Sequence, residues 1–119
     1  MSQSAHPPVP EMLGRLEQAY RRLIALHAAP AAEVQRLLTV LDDFRWYGER
    51  LGANRWEGVP RPGRWSFAEN LWHITEQAIA VGDRPDAAPL RYFIDHGKEH
   101  VGQAAELLAI FAYDEGQAL

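Results

Sequence analysis

Three histidines, His73, His96 and His100, have the type and spacing of ligands for a single divalent metal ion. On a helix, residues four apart project their side chains about 40° apart around the axis and roughly 6 Å apart along it, so His96 and His100 can share one ion. The chain has no cysteine, so a metal site here must use nitrogen and oxygen donors. Three neutral imidazoles with open coordination positions suit zinc, nickel or ferrous iron. Such an ion activates a water, or polarises a thiol or carbonyl of a substrate.

His73 supplies the third donor if its helix and the helix of His96 and His100 form an antiparallel hairpin. His73 lies about 8 residues before the predicted turn at Gly82 to Pro89, a depth of roughly 12 Å. His96 and His100 lie about 8 and 12 residues after it, at depths of roughly 12 and 18 Å. The spacing therefore places all three rings at a similar depth.

A second motif overlaps the late histidine pair, because residues 96–100 also match H-x-x-E-H, the pattern of inverted zinc proteases with Glu99 as general base. Proteases of that type are much larger and take a further acidic ligand from well downstream. Only 19 residues follow His100, and their acidic residues are Glu106, Asp114 and Glu115. This interpretation is therefore disfavoured.

Several neighbours are candidates for orienting the histidines or lining a pocket. Glu76, Glu99 and Asp95 are placed to accept the second N–H of a ligand imidazole, although solvated surface acids show the same pattern. Trp65 and Trp72 flank the start of the third helix and either wall a pocket or pack core and loop.

Other polar residues near this pattern have simpler interpretations. Gln103 continues the spacing of the late pair. Glu69 is better explained as a helix cap than as a ligand. His27, close to a helix end, is expected to favour the helix dipole, and His6 is expected to be solvated.

Helical periodicity places these residues on four amphipathic helices. Two are predicted at Glu11 to Ala28 and at Ala31 to about Leu51. The third begins at the N-cap Ser66, where Ser66 and Glu69 fit a capping box, and runs to about Val81. The fourth runs from near Ala88 to about Tyr113. The predicted buried stripes are Met12, Leu16, Tyr20, Leu23, Ile24 and Leu26; Val34, Leu37, Leu38, Leu41 and Phe44; Phe67, Leu71, Ile74, Ala78 and Val81; and Phe93, Val101, Ala104, Leu108 and Phe111.

The longest connection, Asn54 to Arg64, is rich in glycine and proline and predicts an irregular loop packed by its own Trp56. Four helices with short or medium loops predict an all-α, antiparallel four-helix bundle. Residues 1–10 are predicted to be a disordered tail and residues 11–119 a single domain.

Composition excludes several classes of function. The net charge of −4 offers no basic surface for nucleic acid or for an acidic membrane. The longest mostly apolar stretch, Ala104 to Tyr113, is about half of what a spanning helix needs. The proline-rich first ten residues resemble neither a signal peptide nor an anchor, so a cytoplasmic protein is expected.

The combined pattern resembles the DinB-like superfamily over about Gly63 to Phe111. The matching features are Arg64-Trp65-Ser66, followed by Glu69, Leu71 and His73, and then Asp95-His96 with His100 and Gln103. The resemblance implies a four-helix bundle, often a homodimer, with a metal held by His73, His96 and His100. It also implies, for some members, thiol-dependent transferase or isomerase activity with bacillithiol or mycothiol as cosubstrate.

One departure from that family concerns spacing. In typical members a whole helix separates the first histidine from the late pair, whereas about 22 residues intervene here. Either the helix order differs or the chain is a shortened variant.

Two hypotheses follow for function. The first is a DinB-like metal-binding protein, as a thiol-dependent transferase or a metal-dependent hydrolase acting on a small molecule. The second is a non-catalytic helical module that dimerises or binds a partner, with its histidines satisfied by hydrogen bonds.

Overall fold

The computed structural model describes residues 6–58, 62–81, 84 and 88–114, and within these ranges it contains helices and no strand. The four helices are α1 (Val9–His27), α2 (Ala31–Leu51), α3 (Phe67–Val81) and α4 (Leu90–Asp114). A short 3₁₀ helix, Ala53–Arg55, follows α2. The all-helical prediction and the four helices are confirmed. The predicted turn at Gly82 to Pro89 lies largely outside the described residues.

The first helix begins at Val9, two residues earlier than the predicted start at Glu11. Pro10 is tolerated there because the first turn of a helix leaves its N–H groups unpaired. Val9 is buried and extends the apolar stripe by one turn. The expectation of a solvated His6 is wrong, since its side chain is only 8% exposed and its Nε2 lies 3.3 Å from Glu57.

The start of α3 is held by the predicted capping box. The Ser66 backbone N–H donates to Glu69 Oε1 at 2.9 Å, and the Glu69 N–H donates to Ser66 Oγ at 3.0 Å. Two N–H groups that the helix itself cannot satisfy are thereby paired. In the described part of the preceding loop, Trp56 packs as predicted: its indole N–H donates to the Gly48 carbonyl at the end of α2.

Contacts between side chains define the helix directions. Asn70 lies opposite His100, and Gln77 opposite Tyr92, so α3 and α4 are antiparallel. Glu17 pairs with Arg45 across the short α1–α2 connection, which makes that pair antiparallel too.

The two hairpins pack against each other through parallel helices. Glu33 and Leu90, near the starts of α2 and α4, line one cleft, and Tyr47 and Leu108, farther along both, line another. With α2 and α4 parallel, α1 and α3 must be parallel as well. The predicted antiparallel arrangement therefore describes each hairpin, whereas the contacts that join the hairpins, α2 with α4 and α1 with α3, are parallel.

The core lies between the four helices and contains most of the predicted stripes. Leu26 is an exception and is exposed, because it lies on the outer side of the last turn of α1. On α4, Phe93 and Ala104 are buried as predicted, whereas Val101, Leu108 and Phe111 are only partly buried. The buried face of α4 also contains residues that were not predicted, namely Ile94, Gly97, His100 and Leu107. None of the helices in the described ranges combines the length and apolarity needed to cross a membrane.

Candidate metal centre

The antiparallel α3–α4 hairpin brings His73, His96 and His100 to one point, as predicted. Ring centroids are 5.2 Å apart for His73 and His96, 5.0 Å for His73 and His100, and 4.7 Å for His96 and His100. One ring nitrogen from each residue lies within 4.8 Å of the other two. Neither His6 nor His27 contributes to the group.

The separation of the ring nitrogens fits a shared ion. The Nε2 atoms of His73 and His96 are 3.2 Å apart. Zinc–nitrogen bonds of about 2.0–2.1 Å in tetrahedral geometry place neighbouring ligand atoms roughly 3.3–3.4 Å apart. Closing a separation of up to 4.8 Å to that value needs side-chain rotations that bring the two nitrogens closer by roughly 1.5 Å. The donor set and its spacing therefore suit a small divalent cation.

Burial keeps two of the rings in the neutral form that a metal ligand requires. Desolvation lowers the pKa of His100 to about 4, and the neighbouring His96 and His73 act in the same direction, against the charge of Glu99. Desolvation and then His96 also lower the pKa of His73, opposed by Glu76. At neutral pH a cation would therefore not have to displace a proton from either ring.

We expect the free energy of unfolding of the metal-free chain to decrease as the pH falls from about 6.5 toward 4. The pKa of His100 is 6.5 in an ordinary setting and about 4 in the fold, so the unfolded chain takes up the proton first and acid favours unfolding. Denaturant titrations between about pH 7.5 and 4.5 measure the effect. His100→Gln should show a shallower decrease of the unfolding free energy than the unaltered chain does. Parallel curves for the two proteins would contradict the assignment.

The Nδ1 atoms of His100 and His96 have hydrogen-bond partners on the protein. His100 Nδ1 lies 2.6 Å from Asn70 Oδ1, and Asn70 Nδ2 in turn donates to the Ser66 carbonyl at 2.9 Å. His96 Nδ1 lies 3.3 Å from Glu99 Oε1. The predicted neighbour Glu99 is thus in contact with a histidine. Asn70 was missed, although a polar residue three positions before His73 within an apolar helix is a usable signal.

Two aromatic side chains flank the cluster. Trp65 packs edge-on against His73 at 5.2 Å and at a tilt against His100 at 5.7 Å, while 44% of it remains exposed. Tyr92 stacks on His96 with centroids 5.5 Å apart and planes 14° apart. Trp65 was predicted as a possible wall of a pocket, whereas Tyr92 was not predicted.

The other predicted neighbours are less closely associated with the histidines. Glu69 is exposed and is used in the capping box. Glu76 is exposed and acts on His73 through its charge. Trp72 packs against the core. Within the described residues, Asp95 and Gln103 are exposed and have no hydrogen bond or ring contact with the cluster.

No protein-family model, curated protein or solved structure matches this chain significantly. The geometry of the three imidazoles and their partners is therefore the basis on which a function can be assigned.

Proposed function

We propose that this protein binds one divalent metal ion, zinc, nickel or ferrous iron, through His73, His96 and His100. The observation that carries the proposal is the meeting of three ring nitrogens from two helices within 4.8 Å of one another. The lowered pKa values of His73 and His100 add support, because both rings are neutral where the cation would bind. All three donors are nitrogen, which several borderline ions accept.

We further propose that the site is catalytic and acts on a small molecule. Three protein ligands leave coordination positions open, as in catalytic rather than structural zinc sites. His73 and His96 are only partly buried, so a substrate can approach the cluster from the solvent side beside Trp65. A cation bound there supplies Lewis acidity to a water or a thiol. The chain's own groups supply orientation: Glu99 holds the His96 ring, and Trp65 covers His73 and His100.

The Trp-Ser helix start and the late H-x-x-x-H pattern support the thiol branch of this proposal. Through them the chain resembles the DinB-like superfamily, some of whose members are thiol-dependent transferases. Metal-dependent hydrolysis uses the same open positions and is the other branch. From the same resemblance we also propose that the protein forms a homodimer. From its composition we propose a cytoplasmic location.

Calorimetric titration of the chelator-treated chain with Zn²⁺, Ni²⁺ and Fe²⁺ tests the metal site directly. The titration should show a single ion per chain. Thermal melts of the same samples should show a higher melting temperature with metal, since an ion that binds only the native state stabilises it by about 2.7 kcal/mol at 100 times its Kd. For a domain of this size that corresponds to roughly 10 °C. Absence of binding for all three ions would contradict the proposal.

One observation favours the alternative of a non-catalytic module. Each of the three rings already has a hydrogen-bond partner on the protein, with His73 and His96 paired to each other. Buried imidazoles satisfied in this way need no ion. Under this alternative, chelator and added metal leave the melting temperature unchanged. Melting temperatures measured with and without metal therefore separate the two hypotheses.

A further inference from the structure

The contact between Asn70 and His100 is the most buried polar contact of the cluster. Asn70 is completely buried and His100 is 5% exposed. The two residues approach from α3 and α4, with Oδ1 and Nδ1 separated by 2.6 Å. A polar pair this deep must be matched donor to acceptor, because an unpaired group at such a position is costly.

The orientation of the Asn70 amide follows from its second contact. Its other end lies 2.9 Å from the Ser66 carbonyl oxygen, which can only accept a hydrogen bond. The amide must therefore direct its NH₂ group toward Ser66 and its oxygen toward His100. A carbonyl oxygen accepts, so the nitrogen of His100 that faces it must carry the proton.

We propose that Asn70 is a positioning residue that holds neutral His100 with its proton on Nδ1 and thereby directs the lone pair of Nε2 to the point shared with His73 and His96. The tautomer of His100 is inferred from the hydrogen bonds alone. Its effect on metal binding rests on the proposed metal site. An imidazole whose outer N–H is held by an acceptor is fixed in both ring orientation and tautomer. Asn70 is in turn anchored to Ser66 at the capped start of α3, which is a rigid support.

Glu99 and His96 provide an internal comparison. Their contact is longer, at 3.3 Å, and the Glu99 side chain is 74% exposed. Water can replace an exposed acceptor, whereas no water replaces the Asn70 oxygen in the core. We therefore expect loss of Asn70 to weaken metal binding more than loss of Glu99 does.

The tautomer is tested on the metal-free chain by long-range ¹H–¹⁵N correlation spectra near pH 7.5, with His100 assigned by comparison with His100→Gln. We expect His100 as a single neutral species with the proton on Nδ1. Asn70→Leu should lose this preference, and Asn70→Asp should keep it, because a carboxylate also accepts the Nδ1 proton. A proton on Nε2 of His100 in the unaltered chain would overturn the inference even if zinc binds.

The effect of Asn70 on metal binding is tested by zinc titration of the same variants. We expect Asn70→Leu to weaken zinc binding by about 10- to 100-fold. Asn70→Asp keeps the acceptor for His100 but loses the N–H donor to Ser66, so Asn70→Asp and Glu99→Gln should each weaken zinc binding less than Asn70→Leu does. Thr75→Val is a buried change five residues along the same helix and controls for general destabilisation. Among the described residues, the Thr75 hydroxyl donates to the Leu71 carbonyl and has no contact with the three histidines.

Unaltered affinity in folded Asn70→Leu would overturn the positioning role. If Asn70→Leu fails to fold, the spectrum of the unaltered chain still decides the tautomer, and a loss of zinc affinity beyond about 100-fold in Asn70→Asp would contradict the role of the retained acceptor. Failure of every chain to bind metal contradicts the proposed function, and the tautomer measurement is unaffected by that result.

Discussion

His73→Ala, His96→Ala and His100→Ala are each expected to weaken zinc binding by more than about 100-fold. Loss of a group that only orients a ligand already costs about 10- to 100-fold, and each of these changes removes a ligand itself. Two imidazoles on one helix cannot replace the third, because His73 is the donor contributed by α3. Competition against a chromophoric chelator at fixed pH measures the affinities.

Matched controls separate ligand loss from a general effect of removing histidine. His27→Ala changes a histidine at the end of α1, outside the cluster, and should bind zinc like the unaltered chain. His100→Gln retains more of the buried volume than His100→Ala and distinguishes loss of the ligand from loss of packing. Equal affinity of His73→Ala and the unaltered chain would refute the three-histidine site.

Gly97→Ala is expected to lower the free energy of unfolding by about 1–3 kcal/mol, although alanine is the better helix former by about 1 kcal/mol. A Cβ atom at this position would lie 2.7 Å from Val40 Cγ1 and 3.2 Å from the Tyr20 hydroxyl. Glycine thus allows α4 to approach α2 and α1 closely, and both Val40 and Tyr20 are packed in the core and have little room to move.

Gly102→Ala, on the same helix, is expected to change the free energy of unfolding in the opposite direction. Gly102 is exposed, and a Cβ there meets no atom within 4 Å. The propensity gain is then unopposed, and we expect the free energy of unfolding to rise by about 0.5–1 kcal/mol. Urea titrations of both variants measure the difference. A stabilising Gly97→Ala would show that α4 does not depend on close approach at this point.

Gly97→Ala also tests how the fold supports the metal centre. Gly97 follows His96 directly and lies less than one turn before His100, so a displacement of α4 at this contact moves both rings relative to His73. We expect zinc affinity to fall in Gly97→Ala and to be retained in Gly102→Ala.

Local features of the chain were predictable from sequence because they depend on residues within one or two helical turns. The capping box of Ser66 and Glu69 is a bond pattern between residues three apart, and it occurs as predicted. His96 and His100 share a face because four residues make about one turn. His73 could be added by counting residues to the turn, since both helices rise at the same rate per residue.

Partners across the bundle were decided by the tertiary structure. Counting residues to the turn puts Asn70 and His100 at a similar depth, but it does not show that their side chains face each other. No spacing along the chain indicates that Glu57 contacts His6 or that the hairpins join through parallel helices. These contacts depend on the rotation of each helix about its axis and on which faces pack, and packing is settled by the shapes of all the buried side chains together. The amino-acid sequence therefore determined which histidines meet, and only the three-dimensional packing decided how each ring is held.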